Sequence, residues 1–209
     1  MTYKLAIFDF DGTLADSFPW FLNVVNNVAD RHGFKRVEDH EVGGLRGQEA
    51  RKILDHVGVP MWKLPMVVRD VRARMAADID SISLFPGVDD MLEHLSRCGI
   101  TLALVSSNSP SNVRRVLGER NTMLISHFEC GAALFGKRAK IRRVLRASGI
   151  APSDAISIGD EIRDIQAAHA EKISFGAVSW GFNHPASFTR YAPTETFTSM
   201  AEIKRRVGT

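Results

Sequence analysis

Apolar runs alternate with amphipathic stretches through most of the 209-residue chain. This alternation is typical of a parallel sheet covered by helices, so the sequence predicts an α/β fold with a Rossmann-like parallel sheet. The apolar runs predict strands over residues 4–10, 100–105, 128–133, 155–158 and 173–178. The amphipathic stretches predict helices over residues 88–98, 139–148 and 162–169. The first two helices should end at glycines, Gly99 and Gly149.

The segment from residue 18 to residue 84 breaks the alternation, because its apolar spacing is helical and a convincing strand pattern is missing. Pro19 suits the first turn of a helix that continues to Arg31 and stops at Gly33. Further helices are predicted over residues 48–56 and 62–80.

The chain returns to the sheet pattern at residues 85–87, which read Phe-Pro-Gly. We therefore predict a core made of residues 1–16 and 85–209. Residues 17–84 would form an inserted α-helical cap.

Composition places the chain in the soluble globular class, with 44% hydrophobic and 24% charged residues. The net charge is +3 and the sequence pI is about 9.0, an excess too small to imply nucleic acid. The basic residues of the stretch 137–143 are spaced around one predicted helix, which favours a solvated surface. The mild positive charge suits a phosphorylated substrate.

The two cysteines, Cys98 and Cys130, are too few for a disulfide framework and form no C-x-x-C pair, which favours a reducing cytoplasm. The N-terminal apolar stretch reaches Asp9 before it could serve as a signal sequence, and no apolar run is long enough to cross a bilayer. We therefore expect a cytoplasmic protein that does not enter membranes. Both a monomer and a homodimer are compatible with the sequence.

Two carboxylates, Asp9 and Asp11, follow the first predicted strand. Side chains at i and i+2 of an extended segment point the same way, so these groups would repel each other in poorly hydrated surroundings. A cation should therefore lie beside them.

Polar residues also follow two other predicted strands, with Ser106 and Asn108 after one and Asp160 after the other. Asp164 stands about one helical turn beyond Asp160, on the same face. Ligands of open α/β sheets bind at the carboxyl ends of the strands, so these groups can converge although they are distant in sequence.

Four clustered carboxylates require compensation, and a hard divalent cation with oxygen ligands would supply it. Mg²⁺ suits a site built from Asp9, the backbone of Asp11 and Asp160. Without such a site, Asp9 and Asp11 would form a turn and Asp160 would cap a helix.

Four groups of residues resemble, in order, the four motifs of the haloacid dehalogenase superfamily. They are the string D-F-D-G-T-L at residues 9–14, Ser106 after a strand, a lysine ahead of a helix, and Gly159-Asp160 with Asp164. The resemblance covers nearly the whole chain. The insertion resembles the α-helical cap of the phosphoglycolate phosphatase and β-phosphoglucomutase-like branch, and residues 178–182 are similar to phosphoglycolate phosphatase-like members.

The resemblance implies a Mg²⁺-dependent phosphatase that hydrolyses a small phosphorylated metabolite. Asp9 would be the nucleophile that takes the phosphoryl group as an aspartyl-phosphate. Asp11 would protonate the leaving alkoxide and then deprotonate the attacking water. Asp9, Asp11 and Asp160 would hold the metal.

The remaining motif residues would bind or support the phosphoryl group. Ser106 would donate a hydrogen bond to it, with Asn108 as a further donor. The family's lysine corresponds to Lys137 or Lys140, and we prefer Lys137 because it lies just ahead of the predicted helix; the Lys-Pro pair of many relatives is missing here. Ser106 could also simply satisfy a backbone group at the strand end.

Three further residues complete the set that the resemblance implies. Gly12 would let the backbone turn beside the phosphate, with Thr13 as a supporting residue. Asp164 would either bind the metal or hold other groups in place.

The glycine-rich stretch 43–48 in the predicted cap is interpreted as a turn before a helix. It is either a plain helix entry or a specificity loop. In the second case Arg46, with Gly47 beside it, would meet an anionic part of the substrate.

Three alternative functions remain open. A phosphosugar mutase or phosphotransferase could use the same nucleophile. A haloacid dehalogenase is disfavoured, because those relatives lack the second aspartate of the first motif, which is Asp11 here. A non-catalytic phosphate-ligand binding protein would have to explain why the whole acidic set is present.

Overall fold

In the part of the chain that the structure describes, six parallel strands form one sheet in the order β3-β2-β1-β4-β5-β6. The structure is a computed structural model and describes residues 3–131 and 136–208. Its strands are β1 (Leu5–Phe8), β2 (Thr101–Val105), β3 (His127–Glu129), β4 (Ala155–Gly159), β5 (Ser174–Val178) and β6 (Glu195–Phe197). β2 lies on one side of β1 and β4 lies on the other, so the strand order reverses direction at β1. This strand is therefore the topological switch point of the sheet.

The helices fall into a group inserted after β1 and a group that covers the sheet. The inserted helices are α1 (Phe18–His32), α2 (Asp39–Leu45), α3 (Ala50–Val57) and α4 (Leu64–Ala77). The covering helices are α5 (Val88–Arg97), α6 (Pro110–Leu124), α7 (Lys137–Ser148), α8 (Ile162–Ala170) and α9 (Met200–Val207). Short 3₁₀ helices span Ile79–Ser81, Pro152–Asp154 and Pro185–Tyr191.

The central strand is buried on both faces, as expected for a parallel sheet between two helical layers. Ala6 and Phe8 pack into one apolar layer with residues of α5, α6 and α9. Leu5 and Ile7 pack into the other layer with residues of α7 and α8. Successive side chains of a strand point to opposite faces, so one continuous apolar run builds both layers.

The predicted α/β fold with a parallel sheet is confirmed, with several differences in its elements. β1 ends at Phe8, although the N–H of Asp9 still donates to the carbonyl oxygen of Ile158 at 2.9 Å. β6 was not predicted, because a three-residue edge strand is too short to show a pattern. The predicted third strand begins at His127, and its expected end at residues 132–133 lies outside the described residues.

The prediction of a turn at Gly43 and Gly44 is wrong, because both glycines lie inside α2. A capping box stabilises this helix: the side chain of Glu41 accepts a hydrogen bond from the N–H of Glu38 at 3.0 Å. The helix predicted from residue 48 begins at Ala50 instead. The helix expected to span 62–80 is shorter and ends in the 3₁₀ turn after Ala77.

The inserted helices pack on one another and on the sheet domain. Gly33 ends α1 in the left-handed conformation, with φ 72°, as predicted. Val57, Val59 and Leu64 form an apolar cluster of their own within this group. Trp20 and Met75 instead join the larger apolar layer of the sheet.

Two backbone hydrogen bonds join the outgoing and returning chain. The N–H of Asp16 donates to the oxygen of Ser83, and the N–H of Phe85 donates to the oxygen of Leu14, both at 2.9 Å. This pairing lies at the predicted boundaries of the cap. The division into core and cap residues itself stays a prediction.

Among the described residues, no helix is both long enough and apolar enough to cross a membrane.

Candidate active site

The predicted site residues converge at the carboxyl ends of the three central strands. Phe8 pairs with Leu104 of β2 and with Ile158 of β4. The residues that follow these strands, Asp9, Ser106 and Asp160, therefore reach the same edge of the sheet. This is the edge at which the crossover connections leave a crevice for ligands.

Lys137 lies between two buried carboxylates. Its Nζ lies 2.6 Å from Asp9 Oδ2 and also contacts Asp164 Oδ1. All three side chains are at most 5% exposed. Burial favours the neutral amine, but the carboxylates of Asp164 and Asp9 outweigh it and raise the pKa of Lys137. The lysine is therefore held as a cation inside the acidic cluster.

One oxygen of Asp9 contacts the site only through an ion pair. The ammonium of Lys137 lies 2.6 Å from Oδ2, and among the described residues this buried oxygen has no hydrogen-bond partner. Burial raises the pKa of Asp9, and Lys137 opposes that shift. An oxygen in this state favours the approach of a further positive charge.

Asp160 is fully buried and held by both of its oxygens. Oδ1 accepts a hydrogen bond from the Thr13 hydroxyl, and Oδ2 accepts one from the N–H of Phe182, both at 2.7 Å. Burial, followed by the charge of Asp9, raises the pKa of Asp160. Thr13 therefore fixes one oxygen of Asp160 in place.

Asp164 makes the contacts of a positioning residue. Its Oδ2 accepts the N–H of Glu161 at 3.1 Å, which caps α8, and its Oδ1 contacts Lys137. Carboxylate oxygens of Asp9, Asp160 and Asp164 nevertheless all lie within 4.8 Å of one another. The three carboxylates form one acidic cluster.

Asp11 is separate from this cluster and lines a cavity together with residues of the inserted helices. The amide nitrogen of Asn108 donates to both of its oxygens, at 3.2 and 3.1 Å. Burial raises the pKa of Asp11, and the bond from Asn108 opposes the shift. Asp9 and Asp11 thus have different partners although they are two residues apart.

The two candidate lysines have different environments. Lys140 Nζ donates to the carbonyl oxygens of Ser106 and Gly131, at 2.5 and 2.9 Å, and burial lowers its pKa to about 8. Lys137 contacts carboxylates instead. These contacts favour Lys137 as the lysine of the site, although it is the first residue of α7 rather than ahead of it.

Ser106 organises the turn after β2. Its fully buried Oγ accepts the backbone N–H of Asn108 at 2.9 Å. Accepting this bond leaves the hydroxyl hydrogen of Ser106 available as a donor.

Glycines make the close approach of these groups geometrically feasible. Gly12 has φ +75°, and a Cβ built on it would collide with the carboxylate of Asp160 and the ring of Phe182. A Cβ on Gly181 would likewise collide with Asp160. The sequence predicts a role for Gly12 in the turn. It does not show that Asp160 fills the space beside this glycine, because the two residues are distant along the chain.

Arg46 contacts the loop after β5, and its predicted contact with an anionic part of the substrate stays a prediction. Its Nε and Nη2 donate to the carbonyl oxygens of Phe182 and Gly181, at 3.0 and 2.8 Å, and its guanidinium lies 4.9 Å from the ring centre of Phe18. These bonds join the end of α2 to the loop after β5. Gly47 lies in the turn after α2 and donates its N–H to the oxygen of Gly44.

The loop after β5 contributes residues that sequence reasoning did not assign to the site. The Phe182 ring lies 4.9 Å from Phe18 and 5.6 Å from Phe21. The amide of Asn183 donates to the oxygens of Arg46 and Gln48. The only sequence signal was the likeness of residues 178–182 to phosphoglycolate phosphatase-like proteins.

A cavity of about 350 Å³ lies between the inserted helices and the strand ends. Asp11 and Asn108 line it from the sheet side, and Arg72 and Met75 of α4 line it from the cap side. Most of its remaining wall is apolar side chains of the inserted helices. The cavity gives Asp11 access to a small molecule.

Comparison with known proteins identifies the class to which this fold and site belong. Residues 6–178 match the model of the haloacid dehalogenase-like hydrolase family, so the chain belongs to that family, as its motifs predicted. A likeness in fold extends to a haloacid dehalogenase-like family hydrolase from Streptococcus pneumoniae, with a TM-score of 0.79, 23% identity and 96% of each chain covered.

Within that class, the chain is similar to phosphoglycolate phosphatases. The phosphoglycolate phosphatase of Synechococcus elongatus is 31% identical over 202 residues, covering 96% of this chain and 95% of the relative. That of Nitrosococcus oceani is 28% identical over 215 residues, covering 96% and 95%. The predicted branch of the superfamily is therefore confirmed.

The contacts of Gly12 predict that Gly12→Ala destabilises the protein more than the same change at Gly149. Both glycines are left-handed, at φ +75° and +68°, so alanine costs about 1–2 kcal/mol of conformational energy at either position. Gly149 has open space where the Cβ would lie, whereas Gly12 would also displace Asp160 and Phe182, which adds about 1–3 kcal/mol. Urea unfolding in metal-free buffer measures both losses, and equal losses would contradict the proposed fit.

Proposed function

We propose that this protein is a Mg²⁺-dependent phosphatase that hydrolyses a small phosphomonoester through an aspartyl-phosphate on Asp9. The observation that carries the proposal is the buried carboxylate of Asp9. This group forms an ion pair with Lys137, and its Oδ2 has no hydrogen-bond partner among the described residues. The family and the phosphoglycolate phosphatases similar to this chain support it.

The donors of the acidic cluster fit a hard divalent cation. Carboxylate oxygens from Asp9 and Asp160 lie within 4.8 Å of each other, and Asp9 Oδ2 is buried without a hydrogen-bond partner. Asp9, Asp160 and the backbone oxygen of Asp11 would hold Mg²⁺, with Asp164 supporting them through Lys137. The bound ion would neutralise charge on the phosphoryl oxygens and orient the ester.

In the first step, a carboxylate oxygen of Asp9 attacks phosphorus, forming an oxygen–phosphorus bond as the ester bond breaks. Lys137 favours the ionised form of Asp9 and offsets the negative charge that develops on the phosphoryl group. The Ser106 hydroxyl would donate to the phosphoryl oxygens, with the Asn108 amide as the further donor that the resemblance implies.

Asp11 transfers the protons. It protonates the departing ester oxygen, which requires a carboxyl group that is neutral before the step. Burial raises the pKa of Asp11 and favours that form. Asp11 then removes a proton from the water that attacks the phosphoenzyme, which releases phosphate and restores Asp9.

The substrate that we propose is a small phosphorylated hydroxy acid such as phosphoglycolate. The names of the similar proteins and the modest cavity beside Asp11 support this choice.

The proposed nucleophile predicts that Asp9→Asn abolishes turnover of para-nitrophenyl phosphate and phosphoglycolate at saturating Mg²⁺, because an amide cannot accept the phosphoryl group. Asp154→Asn is the matched control, since Asp154 pairs with Lys4 at the opposite end of β4. We expect the control to keep nearly the full rate. Wild-type turnover by folded Asp9→Asn protein would refute the mechanism.

The contacts of the two lysines predict unequal losses on substitution. Lys137→Met should lower kcat/KM about 100- to 1000-fold, as expected when one preorganised positive group is removed from a reacting site. Lys140→Met removes only bonds to carbonyl oxygens, so its kcat/KM should fall less than about 10-fold. Steady-state kinetics measures kcat/KM for both variants, after circular dichroism has shown that each variant is folded. A larger loss for Lys140→Met would assign the role to that residue instead.

A further inference from the structure

Arg72 carries a buried guanidinium nitrogen that the proposed mechanism does not use. The residue lies on α4 and lines the cavity opposite Asp11 and Asn108. Its Nη2 is buried and, among the described residues, has no hydrogen-bond partner. An unsatisfied buried donor is unfavourable unless a ligand pairs with it.

The other cationic side chains that line the cavity have partners within the described chain. Lys35 Nζ lies 2.6 Å from Glu41, and Arg163 pairs with Glu161. Arg46 donates to the carbonyl oxygens of Gly181 and Phe182. The anion-binding role that the sequence suggested for Arg46 therefore falls better to Arg72.

The position of Arg72 is fixed relative to the sheet. Its carbonyl oxygen accepts a hydrogen bond from the amide of Asn112 on α6 at 3.3 Å. One turn further along α4, the sulfur of Met75 contacts the amide nitrogen of Asn108, which in turn binds Asp11. These contacts hold α4 over the end of β2.

Arg72 keeps its positive charge although its side chain is partly buried. Burial lowers the pKa of Arg72, and the carboxylate of Asp11 opposes that shift. The guanidinium nevertheless stays charged, because the pKa of arginine starts far above neutral pH. Apolar neighbours in the cavity wall, including Trp20 and Phe21, strengthen any charge pairing there by excluding water.

We propose that Arg72 determines specificity by binding a carboxylate on the leaving group of the substrate. The inference rests on the proposed function, in which Asp11 contacts the departing ester oxygen. The phosphoryl side of the site is formed by Asp9 and Ser106 at the strand ends and by Lys137 at the start of α7. Arg72 reaches the site from the cap, so it meets the part of the substrate beyond the ester oxygen. A short phosphorylated hydroxy acid places its carboxylate there.

The test compares two esters that differ only in the charged group, phosphoglycolate and 2-hydroxyethyl phosphate. The quantity measured is the ratio of their kcat/KM values at saturating Mg²⁺, for wild type, Arg72→Gln and Arg72→Lys. We expect wild type to prefer phosphoglycolate and Arg72→Gln to lower the ratio roughly 100-fold, the usual size for one buried charged hydrogen-bonding partner. Arg72→Lys should lower the ratio less, because lysine keeps the positive charge but lacks the planar guanidinium that can donate two parallel hydrogen bonds to a carboxylate.

Arg69→Gln is the matched control, because Arg69 lies one turn earlier on α4 and is exposed. It should leave the ratio unchanged. An unchanged ratio in folded Arg72→Gln, or a wild-type enzyme without preference for the carboxylate, would overturn the inference while leaving the phosphatase intact. Wild-type protein that hydrolyses neither these esters nor para-nitrophenyl phosphate would instead overturn the proposed function.

Discussion

The burial of several carboxylates around one lysine is the constraint on which this site depends. Asp9, Asp160 and Asp164 converge at the strand ends and are almost completely removed from water. Isolated buried charges cost several kcal/mol each, so such a cluster is tolerated only with compensation. Lys137 supplies part of it by contacting both Asp9 and Asp164. A site that keeps this much negative charge is suited to a divalent cation and to a reaction at phosphorus.

The rest of the fold can be understood as the means of holding that cluster. The switch point at β1 brings the ends of three strands together. The missing side chains of Gly12 and Gly181 leave room for Asp160, which Thr13 and Phe182 then fix in place. Asp11 lies outside the cluster, where the amide of Asn108 donates to both of its oxygens. Asp9 and Asp11, which look equivalent in the sequence, therefore have different surroundings in the structure.

Much of the fold followed from the sequence, because its signals are local. Buried parallel strands read as continuous apolar runs, and glycines mark the ends of α1 and α7. The errors have local causes as well: α2 forms despite Gly43 and Gly44 because its capping box stabilises it, and β6 is too short to show a pattern.

The positions of site residues could be predicted where a residue directly follows a strand. They could not be predicted where a residue's contacts depend on how distant segments pack. Asp9, Ser106 and Asp160 could be placed from strand ends alone. The partners of Arg46 depend on how the loop after β5 meets the cap, which spacing does not encode. Arg72 was missed because one arginine among several on an amphipathic helix carries no signal until its neighbours are known.

The central claim is that Asp9 carries the phosphoryl group during turnover. Acid quenching of the wild-type enzyme during hydrolysis of phosphoglycolate, followed by proteolysis and mass spectrometry, tests it most directly. The account predicts one phosphoryl group on the peptide that contains Asp9, with fragmentation placing it on that carboxylate. A phosphoryl group on another side chain, or unmodified peptides throughout active turnover, would contradict it.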